Sequence, residues 1–173
     1  NEEIPIWVAK GDMESPVHRA GRVDEIHIQV PINHGASQRA LKVRGMFTYR
    51  ALTQPSRSVP VLRRVLARLL RDGPDRPGSW GYKGVSNIFD SLPTEFLFTA
   101  SHKQIAEMIE RVRDAEQEQK TVSHIVQDLD ASNTTFVLTA LPRAHYSESL
   151  RRRIQRSLEI RTQATYCDHG LFM

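Results

Sequence analysis

The chain has 173 residues, enough for one domain that buries about 70% of its unfolded surface and folds without a disulfide or a metal. With 39% hydrophobic and 25% charged residues it lies outside the disordered class, and its single cysteine, Cys167, excludes a disulfide-stapled scaffold. The net charge of +4 is carried almost wholly by arginine, lysine occurring only at Lys10, Lys42, Lys83, Lys103 and Lys120. Arginine's planar fork pairs with phosphates and carboxylates, so the composition leans toward polyanionic partners; a plain bias toward arginine accounts for it equally well. No apolar run reaches the roughly 20 residues of a membrane span. Asn1-Glu2-Glu3 lacks the basic-then-apolar pattern of a secretory leader, and the missing initial Met suggests an upstream segment.

In chain order, residues 1–22 read as an extended arm and loop. Ile4, Ile6 and Val8 alternate, but Pro5 interrupts the donors, and Gly11, Pro16 and Gly21 follow among charges. Residues 23–173 read as a single globular α+β domain, an antiparallel sheet packed against several helices. Ile26, Ile28, Val30 and Ile32 alternate with Glu25, His27, Gln29 and Pro31, the clearest strand pattern in the chain. After turn residues 33–38, a second strand places Leu41, Val43, Phe47 and Tyr49 inward, with Gly45 marking a bulge or a close approach. The first helix starts at Ser58 and carries Leu62, Val65, Leu66, Leu69 and Leu70 on one stripe, with Arg63, Arg64, Arg68 and Arg71 on the solvent side. Asp72-Gly73-Pro74 stops it, and a glycine-rich loop runs to Gly84.

Farther on, Val85, Ile88, Phe89 and Leu92 fit a short helix, and Phe96, Leu97 and Phe98 a brief buried strand. Ser101 and Gln104 form a capping-box pattern before a helix facing inward through Ile105, Met108, Ile109 and Val112. Residues 113–120 read as an exposed helical bridge or a loop. Val122, Ile125, Val126 and Leu129 predict a further helix, residues 134–140 a strand, and Leu150, Ile154 and Leu158 a last helix. Ile160, Thr162, Ala164 and Tyr166 predict a closing strand.

Candidate catalytic residues are absent from this reading. The seven histidines are scattered without metal-ligand spacing, and Cys167 beside Asp168 and His169 lacks the separate elements a thiolate pair uses. Gly78, Gly81 and Gly84 match neither a P-loop nor a dinucleotide fingerprint. The expectation is therefore no enzyme, no cofactor, no metal and no small-molecule substrate. The surface offers three candidate sites instead. Arg76, Trp80, Tyr82 and Lys83 form a loop that either enters a membrane interface, anchors a protein partner, or folds back over the first helix. Arg63, Arg64, Arg68 and Arg71, with Arg151, Arg152, Arg153 and Arg156, form two basic faces for a polyanion, or simply solvated surfaces. Ile4, Ile6, Trp7 and Val8 form an arm able to extend a neighbour's sheet.

Residues 41–92 resemble the start of the globular domain of rhabdovirus matrix proteins. The matching parts are the strand Val43-Arg44-Gly45-Met46-Phe47-Thr48-Tyr49, the turn Gln54-Pro55-Ser56-Arg57-Ser58, and the leucine-rich helix Val61 to Leu70. A Gly78–Gly84 loop and a second short helix over 85–92 complete the pattern. The resemblance implies a structural protein that self-associates as a homo-oligomer, binds viral nucleocapsid or RNA and anionic lipid headgroups, and lines the virion envelope during assembly and budding. An arginine-rich nucleic-acid-binding module and a secreted bacterial effector of unfamiliar fold are the alternatives.

Overall fold

Alternating residues at the two ends of the sequence form hairpins, and the helix-periodic residues between them form the core. The computed structural model describes residues 6–15, 22–31, 38–129, 134–164, 167 and 169–171. Among these, β1 (Ile6–Glu14), β2 (Arg22–Pro31) and β3 (Gln38–Gly45) make an antiparallel sheet in the order β1-β2-β3. Six helices follow in a run broken by a second hairpin: α1 (Tyr49–Leu52), α2 (Pro60–Asp72), α3 (Trp80–Ser91), α4 (Thr94–Thr99) and α5 (His102–Glu118), then β4 (Val122–Leu129) paired with β5 (Thr134–Ala140), then α6 (Glu148–Thr162). The architecture is α+β, as expected.

The core sits in α2 to α5. Leu62, Phe89, Ile105 and Met108 are almost wholly removed from solvent, and Leu66, Leu69, Ile88, Phe96, Leu97 and Ile109 surround them. Each such side chain contributes about 1.5–3 kcal/mol relative to exposure, so this cluster dominates folding. Sequence chemistry sets the helix ends. Pro60 occupies the first turn of α2, where its missing N–H costs nothing. Ser79 caps α3 by accepting from the Tyr82 backbone N–H, and Ser101 with Gln104 completes the capping box of α5.

Several expectations are corrected. Residues 96–98 belong to α4, in which the Leu97 N–H donates to the Pro93 carbonyl; an apolar run this short carries no period of its own. Residues 122–129 form β4, not a helix. Ile125 is exposed while Val126 is buried, so strand alternation prevails over a helical stripe that the same residues also fit. The 113–120 stretch continues α5 to Glu118, where Gln119 takes a left-handed conformation. Helix α6 runs through Ile160 to Thr162, so the closing strand is absent there, and Tyr166 lies outside the described residues.

Strand β3 ends at Gly45, with open space around the glycine, and Tyr49 enters α1 fully on the surface. The start of the chain also differs from the arm expected there. Ile6, Trp7 and Val8 pair with Ile28, His27 and Ile26 of the same chain, and Val8 is buried. Ile4 lies outside the described residues.

Candidate functional site

Adjacent residues of a strand point to opposite faces, and β2 uses this to place two buried carboxylates back to back. Glu25 faces one side of the sheet. Its Oε1 accepts from Arg44 Nε at 2.8 Å, and its Oε2 lies 2.9 Å from Lys42 Nζ and 3.0 Å from His27 Nε2. The register makes this cluster, since Glu25 stands opposite Arg44 and His27 opposite Lys42. Trp7, opposite His27 on β1, stacks on the imidazole at 4.9 Å. The Lys42 hydrogen bond, then that of Arg44, lowers the Glu25 carboxyl from an ordinary 4.5 to about 2 against the opposing effect of burial. Gly11 makes room for the cluster: a Cβ there would lie 2.9 Å from Val23 Cγ2 and 3.0 Å from Glu25 Oε1.

Asp24 faces the other side. Its Oδ1 accepts from Lys10 Nζ at 2.6 Å and its Oδ2 from the Phe47 backbone N–H at 2.8 Å. Lys10 also reaches Glu95 of α4 at 3.1 Å, and Phe47 stacks on Phe98 at 5.1 Å. Burial works against the Lys10 charge, but the Asp24 hydrogen bond and the Glu95 charge outweigh it and raise its pKa above 10.5. Lys10 thus ties the sheet to the helical core. Both carboxylates are saturated by cations and donors, which suits holding a shape and leaves neither as a general base.

The expected surface sites are placed as follows. Trp80 is the first residue of α3 rather than a loop tip, is 89% exposed, and has Lys83 Nζ 5.7 Å from its ring. Tyr82 is half-buried and Arg76 exposed. Sequence reading missed this helix start because three glycines obscured it; the Ser79 cap was the available signal. Below it, Asp75 accepts from Arg113 of α5 at 2.9 Å and lies against Gly81, where a Cβ would be 1.9 Å from Asp75 Oδ1.

On α2, Arg63, Arg64, Arg68 and Arg71 are all exposed, and Arg68 and Arg71 both pair with Asp72. On α6, Arg151 and Arg152 pair with Glu148, whose carboxyl they lower from 4.5 to about 2. Arg153 and Arg156 point to solvent. The two arginine faces sit on separate helices that do not pack extensively on one another.

Among the described residues no group of three or more His, Cys, Asp or Glu is disposed to hold a metal ion, and no helix is long and apolar enough to cross a membrane. His27 belongs to the Glu25 cluster, His102 opens α5 with a buried Nε2 that has no partner, and His124 lies in β4. His18, His34 and Asp168 lie outside the described residues.

A family model described as glutamate dehydrogenase, helical motif 1, matches residues 59–118. The chain is also similar to the NAD-specific glutamate dehydrogenase of Pseudomonas aeruginosa, 26% identical over 99% of this chain, and to that of Halomonas elongata, 25% identical over 95% of it. In each case the match covers 10% of the relative, so the chain spans about a tenth of the length of the curated relatives it matches. These matches overturn the rhabdovirus matrix resemblance. The alternation and leucine stripe of residues 41–92 are generic to a strand followed by an amphipathic helix, and carried no viral signature. With that resemblance go the structural role in assembly and budding, the exclusion of an enzyme, the nucleocapsid, RNA, lipid and self-association partners, and the virion location. Neither the nucleic-acid module nor the secreted effector receives support.

Proposed function

We propose that this chain is a segment of a large NAD-dependent glutamate dehydrogenase, and that it acts there as a packing module that positions other parts of the polypeptide. The observation that carries this reading is the coincidence of the family match with the core. Residues 59–118 begin at Val59, the N-cap of α2, and end on the last residue of α5. They include Leu62, Phe89, Ile105 and Met108, the largest fully buried side chains among the described residues. The alignments to both dehydrogenases continue beyond this block over nearly the whole chain, which supports including the sheets and α6 in the same segment.

Surface area favours a part over a free-standing whole. The chain of 19.8 kDa exposes 12760 Å². A compact monomer of that mass exposes about 8,600 Å². Exposed apolar residues such as Leu41, Val43, Trp80 and Ile160 contribute to the excess. In the reaction of such an enzyme, NAD supplies the acceptor for the hydride leaving the glutamate Cα. The residues here do not fit that cofactor. Gly78, Gly81 and Gly84 open a helix, but α2 and a loop precede it instead of a strand, and the Asp75 carboxylate already lies against Gly81 where a diphosphate would need room and positive potential. Hydride transfer is therefore assigned to other parts of the polypeptide.

The test is to express the full polypeptide that carries this sequence and follow NADH formation with glutamate and NAD. Glutamate-dependent reduction of NAD is expected, and its absence in well-folded protein would remove the proposal.

A further inference from the structure

Most helices owe their stability to tertiary packing of one face, and among the described residues α6 has little of it. None of its residues is buried, and it packs extensively on no other element. Its stability is built from local contacts. Ser147 caps it by accepting from the Leu150 backbone N–H; Glu148 holds Arg151 and Arg152; Arg151 donates to Gln155, and Gln155 to Glu159. Along one side, Leu150, Ile154 and Leu158 form a stripe about 12 Å long, with Ile160 beside it 72% exposed. Arg153, Arg156 and Arg161 line the same shallow surface, and none of them has a carboxylate partner among the described residues.

We infer that α6 is a preformed docking element whose apolar stripe and arginine rim are covered by an acidic-rimmed apolar surface elsewhere in the same long polypeptide. The charge specifies the partner. Three cations that have no carboxylate partner among the described residues, beside an apolar seam, call for carboxylates flanking apolar side chains, and burying the seam without them would leave arginines desolvated and unpaired. The inference rests on the reading of this chain as a segment of a longer dehydrogenase, since relatives of which it covers a tenth leave ample polypeptide to supply that surface.

Arg156→Lys keeps the charge and adds an amine that a carbodiimide joins to a carboxylate in contact. In the full polypeptide carrying Arg156→Lys, cross-links from position 156 to Asp or Glu outside residues 1–173 of the same molecule are expected, and Leu158→Asp added to this variant should abolish them. Hydrogen exchange over 148–162 in the unaltered full polypeptide should be at least about tenfold slower than expected for a helix without tertiary contacts. Cross-links confined to Glu148 and Glu159, links joining two polypeptides, or exchange at the rate of an uncovered helix would each overturn the inference, as would protection lost on nuclease treatment. The outcome is separable from the enzymatic reading. Cross-links without glutamate-dependent NADH formation leave the docking intact and remove the dehydrogenase, whereas activity without cross-links does the reverse.

Discussion

Helices α2 and α6 look alike as sequence and are used in opposite ways. Each carries a leucine or isoleucine every third or fourth residue and a dense set of arginines. Yet α2 buries Leu62, Leu66 and Leu69, while α6 leaves Leu150, Ile154 and Leu158 no more than half-buried. The difference lies in their neighbours. Helix α2 is followed by three helices whose apolar faces converge on it, and α6 follows a two-stranded hairpin and a short turn. An amphipathic pattern says that a helix has an apolar side; what covers that side is decided by the elements around it.

The widest gap between the two helices should appear on truncating equivalent side chains. Leu66→Ala removes a 4%-exposed side chain from the core and should cost about 2–5 kcal/mol in denaturant unfolding. Ile154→Ala on α6 should cost less than about 0.5 kcal/mol in the 173-residue chain. Equal losses at the two positions would mean that α6 is packed after all.

A second experiment moves to the join between core and periphery. Lys10→Met removes the ammonium from the buried Asp24, which keeps the Phe47 N–H, and also from Glu95. The expected loss is about 2–3 kcal/mol, because a charged hydrogen bond to a buried acceptor is removed while the acceptor stays. If sheet and core unfold together, a single transition shifts. If the sheet detaches first, the transition splits, which sharpens the division between the two regions.

Acid should act on the sheet in a defined window. The Glu25 pKa is depressed in the folded chain, so its contribution is fully present above an unfolded value of 4.5 and is lost as pH falls through about 2. Glu25→Gln should therefore flatten the acid limb of the stability curve between those values and change its shape little at higher pH. A limb that is unaltered in the variant would show that Lys42 and Arg44 do not select the charged form.

The helical core was the most legible part of the molecule. Its stripes at Leu62–Leu70 and Ile105–Val112 and the Ser101 capping box are local signals with one reading, and the matched family block falls on the same residues. Legibility failed where one set of residues satisfied two periods. Val122, Ile125, Val126 and Leu129 suit a helix on paper, and only the pairing of Ile125 with Val137 and Val126 with Phe136 selects the strand. The buried clusters were invisible for another reason. Glu25, His27, Lys42 and Arg44 lie up to 19 residues apart and meet only through strand register, and Lys10 reaches Glu95 across 85. The matrix resemblance failed for a third reason: a strand followed by an amphipathic helix, as in residues 41–92, is a pattern shared by many unrelated families.

The smallest effect is the most discriminating. Ser147→Ala removes the cap of α6, a change worth about 1 kcal/mol to a helix end. In a packed helix that cost would pass into global stability. Here α6 contributes no residue to the core, so its fraying should appear in the helix alone: faster amide exchange over 148–162 and a slight loss of helical circular dichroism, with the main unfolding midpoint unmoved. Acid should reproduce the same local loosening as Glu148, also held near 2 by Arg151 and Arg152, takes up its proton and releases both arginines. A midpoint that falls by the full capping cost would place α6 inside the cooperative unit and end the contrast with α2, because a helix able to transmit the loss must already be packed against something in this chain.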